Sequence, residues 1–189
     1  MAFGIELIIT VIIVLVVIAI IAYLVAIFNG LIRVKNNIKK SWANIDVLLK
    51  QRTDELPKLI NSVKGYMKHE RGVLTEITKA RTELLKAKTL PEKAKADGII
   101  SAALKTLFAV AENYPKLRAS ENFMQLQHRI SGIENELADR REFYNDSVNT
   151  YNIRIHSIPD VFVARMMSYR PEEMFKVAEE EKRDVEVKF

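Results

Sequence analysis

From Leu7 to Phe28 the chain carries 22 residues without a charge, and Thr10 is the one non-aromatic polar side chain among them. Coiled as an α-helix, such a run is about 33 Å long. A bilayer's hydrocarbon core is about 30 Å thick, so the run crosses it with a little tilt. A cleaved signal peptide is the competing reading. The residues before the run contain no Lys or Arg, only Glu6. The run also exceeds the apolar region of a signal peptide, about 7–15 residues. Residues 1–30 are therefore expected to be an uncleaved transmembrane anchor.

Charge sets the expected orientation. Arg33, Lys35, Lys39 and Lys40 follow the run, and no acid appears before Asp46. The positive-inside rule places this side in the cytoplasm and the N-terminus outside, giving a single-pass protein of the cell membrane. The same four cations are candidate contacts for anionic lipid headgroups. Setting topology and solvating the helix end is the alternative role, and both readings stand.

Composition narrows the chemistry. The chain has no cysteine, which excludes disulfide scaffolds, thiol catalysis and cysteine-ligated metal clusters. Only six Gly and five Pro accompany 28% charged residues, against a turn-rich β fold and against disorder. The formal charge is +5. The cations are interleaved with acids as on a solvated helical surface, so nucleic acid is not an expected partner.

The rest of the chain reads as long helices. Ile38, Trp42, Ile45, Leu49, Arg52, Leu56, Leu59, Val63 and Tyr66 alternate steps of four and three, a heptad seam of the coiled-coil kind. Pro57 lies inside it and removes a backbone donor, but the seam keeps its phase, which favours a kink over a turn. A second seam runs through Phe123, Leu126, Ile130, Ile133, Leu137, Arg140, Tyr144, Val148, Tyr151, Ile155 and Ile158, before Pro159. Two shorter helices lie between, over about 70–87 and 90–113. Thr89 with Glu92 forms a capping-box signature at the start of the latter.

Four helices on short connections predict an all-α fold. The transmembrane helix runs on without a loop into an elongated antiparallel four-helix bundle over residues 31–158. The fourth helix then returns towards the bilayer. Residues 159–189 become a membrane-proximal segment and charged tail. Val161, Phe162, Val163, Arg165, Met166, Met167 and Tyr169 form either an interfacial anchor or a cap over the bundle's open end. Residues 172–189 are expected to be a solvated helix and tail.

No catalytic constellation is visible. His69, His128 and His156 lie on separate stretches, and His69 with Glu70, being adjacent, share no helix face. There is no phosphate loop or nucleophile elbow. No catalytic residue, metal site or cofactor is expected. The pairs Tyr144-Asn145 and Tyr151-Asn152 lie seven residues apart, so each type repeats on one face. Tyrosines packed in the seam and asparagines bonding across helices are favoured over a docking stripe. Trp42 is a core or inter-subunit anchor. Leu48 and Ile60, beside the main seam, are candidates for a second stripe used in self-assembly. Arg52 and Arg140 are the charged seam members. Paired with Glu55 or Glu136 on facing helices, they would form a register-setting layer.

These residues carry a resemblance. The run from Trp42 through Asn44, Ile45, Asp46 and Leu49 to Arg52, then Pro57, Val63-Lys64-Gly65-Tyr66 and His69-Glu70, is similar to the signature of the LemA family. So are Tyr114-Pro115, Asn122-Phe123, Leu126-Gln127, Glu134 and the two Tyr-Asn pairs. Leu48 and Gln51 depart from it, standing where a Gln and an Arg or Lys are expected. The resemblance covers nearly the whole chain and implies a membrane-anchored, elongated antiparallel four-helix domain. It implies no reaction.

A non-enzymatic scaffold is the leading functional expectation, with the lipid bilayer and further copies of the chain as partners. The alternative is a monomeric adaptor that recruits a membrane-protein partner, such as a protease or an envelope-stress component. An enzyme would need a buried polar cluster between helices.

Overall fold

The apolar periodicities become helices along almost the whole chain. The computed structural model describes residues 2–67 and 69–176, and no strand occurs among them. Six helices follow in order: α1 (Ala2–Lys64), α2 (Arg71–Lys86), α3 (Leu90–Ala111), α4 (Pro115–Arg118), α5 (Glu121–His156) and α6 (Asp160–Met166). The expected tail lies outside the described residues from 177 onward.

The chain divides into two units. The first is Met1–Lys40 with Asp146–Glu173; the second is Ser41–Asn145 with Met174 and the described residues after it. In the first unit α1 is long and apolar enough to cross a membrane, and its large side chains from Ile5 to Val25 are exposed. Burial begins at Ile27 and is complete at Leu31. Ile38 joins them, together with Val148, Tyr151 and Ile155 of α5 and Val163 and Ala164 of α6. The register is antiparallel: Lys35 lies by Tyr151 and Gly30 by Arg154, so α5 advances towards the bare end of α1. Gly30 does not interrupt α1. A Cβ there would sit 2.9 Å from an Arg154 guanidinium nitrogen, so glycine admits the close approach.

The end of α6 is closed by a Schellman motif. Ser168 has φ 53°, its N–H donates to Arg165 O at 3.0 Å, and the N–H of Tyr169 donates to Ala164 O at 3.0 Å. Ile158 is 80% exposed and not part of the seam, since α5 ends at His156 and the chain turns before it.

In the second unit the α1 seam is buried from Ile45 to Val63, with Trp42 half-buried above it. Its last member fails: Tyr66 is exposed and Met67 is buried in its place, because the helix stops at Lys64 and the following turn changes the phase. The capping box forms. Thr89 Oγ1 accepts from the Glu92 N–H, while the Glu92 carboxylate accepts from the Lys88 and Thr89 N–H groups, which holds its pKa below the usual value.

α1 runs through Pro57 without a break. Proline has no N–H for the carbonyl four residues earlier, which belongs to Thr53. Arg81 of α2 donates its Nε–H to that oxygen at 2.8 Å, restoring the missing bond from a second helix. Replacing Arg81 by Met is therefore expected to cost about 1–3 kcal/mol, the range for orphaning a buried acceptor. The loss should shrink in a Pro57→Ala background, where the introduced alanine supplies its own N–H. Denaturant unfolding of the full chain in detergent reads both; equal losses in the two backgrounds would refute the link.

Candidate functional site

The largest fully buried side chain is an arginine. In the second unit Arg52 of α1 donates from Nη1 to Asp97 Oδ1 at 2.5 Å and from Nη2 to Ser101 Oγ at 3.0 Å. It also pairs with Glu134 of α5. The other Asp97 oxygen is taken by Arg141 of α5. Ser101 in turn donates to Glu134 Oε1 at 2.8 Å. Three helices are thus joined by two guanidinium groups and two carboxylates, a layer of balanced charge. Glu55 lies nearby in the same unit, held by Lys58 at 3.1 Å and Arg129 at 3.2 Å.

This arrangement is closed to most chemistry. Arginine stays protonated, so it passes no proton. Each carboxylate is committed to a guanidinium, and the Ser101 hydroxyl already donates to one of them. What the layer does is penalise sliding: a shift of any of the three helices would strand a buried charge, at several kcal/mol. The expected charged seam member, Arg140, is not in the layer. It is exposed and pairs with Glu136 on its own helix at 3.3 Å. Two successive four-residue steps run from Ile133 through Leu137 to Arg141, so the stripe passes one residue later than expected. Asp97 was missed because a lone aspartate next to Gly98 advertises no partner.

The two Tyr-Asn pairs act as clamps, and their partner is not a helix. In the first unit the Asn152 carboxamide donates to Glu172 O and accepts from the Glu172 N–H, both at 2.9 Å. In the second, Asn145 donates to Phe175 O at 3.1 Å and accepts from the Phe175 N–H at 2.7 Å. Each amide thus satisfies both backbone groups of one residue in a non-helical stretch. The helix expected from residue 172 is absent over 172–176, where these clamps hold non-helical chain. Tyr151 donates its hydroxyl to Arg170 O at 3.1 Å. Burial, then the charge of Glu172 and the neighbouring Tyr169, push its pKa up to about 12.

The other expected residues divide between core and surface. Arg33, Lys39 and Lys40 are exposed. Lys35 is drawn into the protein instead of standing free for a headgroup: its ammonium lies 4.3 Å from the Tyr169 ring centre and 3.7 Å from Glu172. Trp42 packs on Tyr144 and Phe175, with ring centres 6.0 and 6.4 Å away, and Lys93 lies over it at 5.3 Å. Tyr144 and Tyr151 are buried. Leu48 is buried too, so it packs inside the second unit and offers no outer stripe. Ile60 is half-buried and lines an open groove of about 990 Å³ between α1 and α2, with Met67, Leu74, Lys64, Arg71 and Lys79. Tyr114 donates to Glu70 at 3.3 Å, joining two of the signature pairs. Among the described residues no group of three or more His, Asp or Glu is placed to hold a metal ion.

Comparison with known proteins settles the kinship. The LemA family model matches residues 41–189. The chain belongs to the LemA family. It is 30% identical to Protein LemA of Metamycoplasma hominis, over 84% of this chain and 73% of that protein. It is 25% identical to Magnetosome protein MamQ 2 of Paramagnetospirillum magneticum, over 79% of this chain and 64% of the relative, so it spans just under two thirds of that protein. A third relative, Magnetosome protein MamQ of Magnetospirillum gryphiswaldense, is 30% identical over 42% of this chain and 29% of its own length. The bare apolar helix and this kinship point to a membrane-associated protein of the LemA family.

The layer predicts an asymmetry between adjacent arginines. Arg141→Met should lower the unfolding free energy of the full chain by about 3–5 kcal/mol, since it removes one member of a buried pair. Arg140→Met should cost at most about 0.5 kcal/mol, the worth of an exposed pair one helical turn apart. Denaturant titration followed by circular dichroism distinguishes them, and equal effects would remove Asp97 from the account.

Proposed function

We propose that this LemA-family chain is a membrane-anchored, non-enzymatic scaffold whose copies associate at the bilayer and organise it. The observation that carries the reading is α1. One helix bears an apolar stretch whose side chains are exposed to the surroundings and then becomes part of a folded core. An exposed apolar surface of that length needs lipid around it. In this reading residues 7–28 cross the membrane once, the N-terminus lies outside, and the four cations after the span hold the rest in the cytoplasm. Within Ser41–Asn145 the main helices form an antiparallel four-helix arrangement, locked by the Arg52–Asp97–Arg141 layer. That layer supports a structural role over a catalytic one, because its charges are spent on one another.

Self-association cannot use Leu48. Exposed apolar residues in the second unit offer other contacts, among them Val47 at 56% and Leu85 at 58%. The groove beside Ile60 favours the second reading, an adaptor. Its apolar floor and the cations Lys64, Arg71 and Lys79 suit an acidic, partly apolar segment of another protein, such as a protease or envelope-stress component.

Light scattering after gel filtration of the full-length protein in mild detergent separates the readings. The scaffold reading expects a discrete assembly of many copies that is lost when the chain begins at Arg33. A strictly monomeric protein in detergent and in lipid would discard it in favour of the adaptor.

A further inference from the structure

α6 and the turn before it carry large apolar side chains that no described residue covers. Phe162 and Met166 of α6 lie one helical turn apart and are 64% and 76% exposed, and Ile158, in the turn just before the helix, is 80% exposed. Val163 and Ala164, on the opposite side, are buried in the core of the first unit. Three large apolar side chains so exposed on one short stretch call for a covering partner.

The position of α6 along α1 identifies that partner. Arg154 lies against Gly30 and grips Asp160, the first residue of α6, through Nε and Nη2, each 2.7 Å from Oδ2. α6 therefore starts level with residue 30 of α1. The last exposed residue of the apolar run is Phe28, less than one turn earlier. Ile27, on the covered side of α1, is already buried within this unit. The exposed face of α6 is thus continuous in depth with the end of the lipid-facing surface. Arg33 and Arg165 are exposed on the two elements, as suits anionic headgroups.

We infer that α6 is an interfacial wedge: Ile158, Phe162 and Met166 enter the boundary between acyl chains and headgroups beside the span. A helix lying in this plane buries its apolar face some 5–10 Å into the boundary region, a depth these side chains reach. This second point of contact braces the first unit against the bilayer, which a lone span does not do. The inference rests on the membrane-anchor reading, and the test separates the two.

The chain lacks cysteine, so a single introduced thiol can carry an environment-sensitive fluorophore. Full-length Phe162→Cys, Met166→Cys, Ile18→Cys and Val47→Cys proteins are labelled and reconstituted into vesicles of phosphatidylcholine and phosphatidylglycerol. Some vesicles carry a nitroxide near the top of the acyl chain and others one near its end, which reaches the middle of the span. The wedge predicts that probes at 162 and 166 lose most of their emission to the lipid nitroxide and resist aqueous iodide. The Val47 probe should do the reverse. Iodide quenching at 162 and 166 equal to that at 47 overturns the wedge. So does protection from both quenchers, which would mean that a second copy covers the face. A probe at 18 untouched by lipid nitroxide would sink the anchor itself; a quenched probe at 18 beside unquenched ones at 162 and 166 sinks the wedge alone.

Discussion

A buried carboxylate shared by two arginines sets the register of the second unit. Asp97 has no exposed surface and neutralises Arg52 through one oxygen and Arg141 through the other. Because an unpaired charge in this interior costs several kcal/mol, the alignment of α1, α3 and α5 in which both guanidinium groups meet the Asp97 carboxylate is favoured over a shifted one. The heptad seams alone are more permissive, since a leucine packs nearly as well one turn away. The polar layer removes that freedom, and the apolar residues around it then pack in a single arrangement. Arg81 plays a similar part at Pro57, where a defect in one helix is completed by the next. Both devices spend charge on structure.

The first unit obeys another constraint. α1 passes from a bare apolar stretch to one packed within the unit in a single turn. Ile27 and Leu31 begin the protein side, while Phe28 still belongs to the other. Gly30 lets Arg154 approach at this level, and Arg154 in turn fixes the start of α6. The clamp of Asn152 on Glu172 and the packing of Lys35 on Tyr169 then fasten the chain that leaves α6. The boundary is therefore marked by residues from three separate segments.

Much of this was legible in the sequence, for physical reasons. The apolar run and the first seam are long and regular enough that any fold must use them as helices, and the capping box at Thr89 names its own position. The second seam was readable only to within one residue. Between Leu137 and Val148 the stripe takes two steps of four and one of three. Arg140 and Arg141 both fit that spacing, so burial alone chooses between them. Leu48 illustrates a different limit: an apolar residue beside a seam reads equally as core or as outer stripe. The clamped segment left no periodic trace, because its bonds run from side chain to backbone. The repeat of Tyr-Asn at seven residues was the signal available, and it disclosed the asparagines but not what they hold. Asp97 and Arg154 have no pattern of their own; the partners of Asp97 are 45 and 44 residues away and that of Arg154 is 6 away, and only the fold joins them.

The central proposal is that α1 crosses the membrane with the folded helices on the cytoplasmic side. Cysteine accessibility tests it directly. One protein carries Gly4→Cys and another Lys105→Cys, each the only thiol in its chain, and intact cells are treated with a membrane-impermeant maleimide. The account predicts labelling at position 4 in intact cells and at position 105 only after lysis. Labelling of position 105 in intact cells would contradict it.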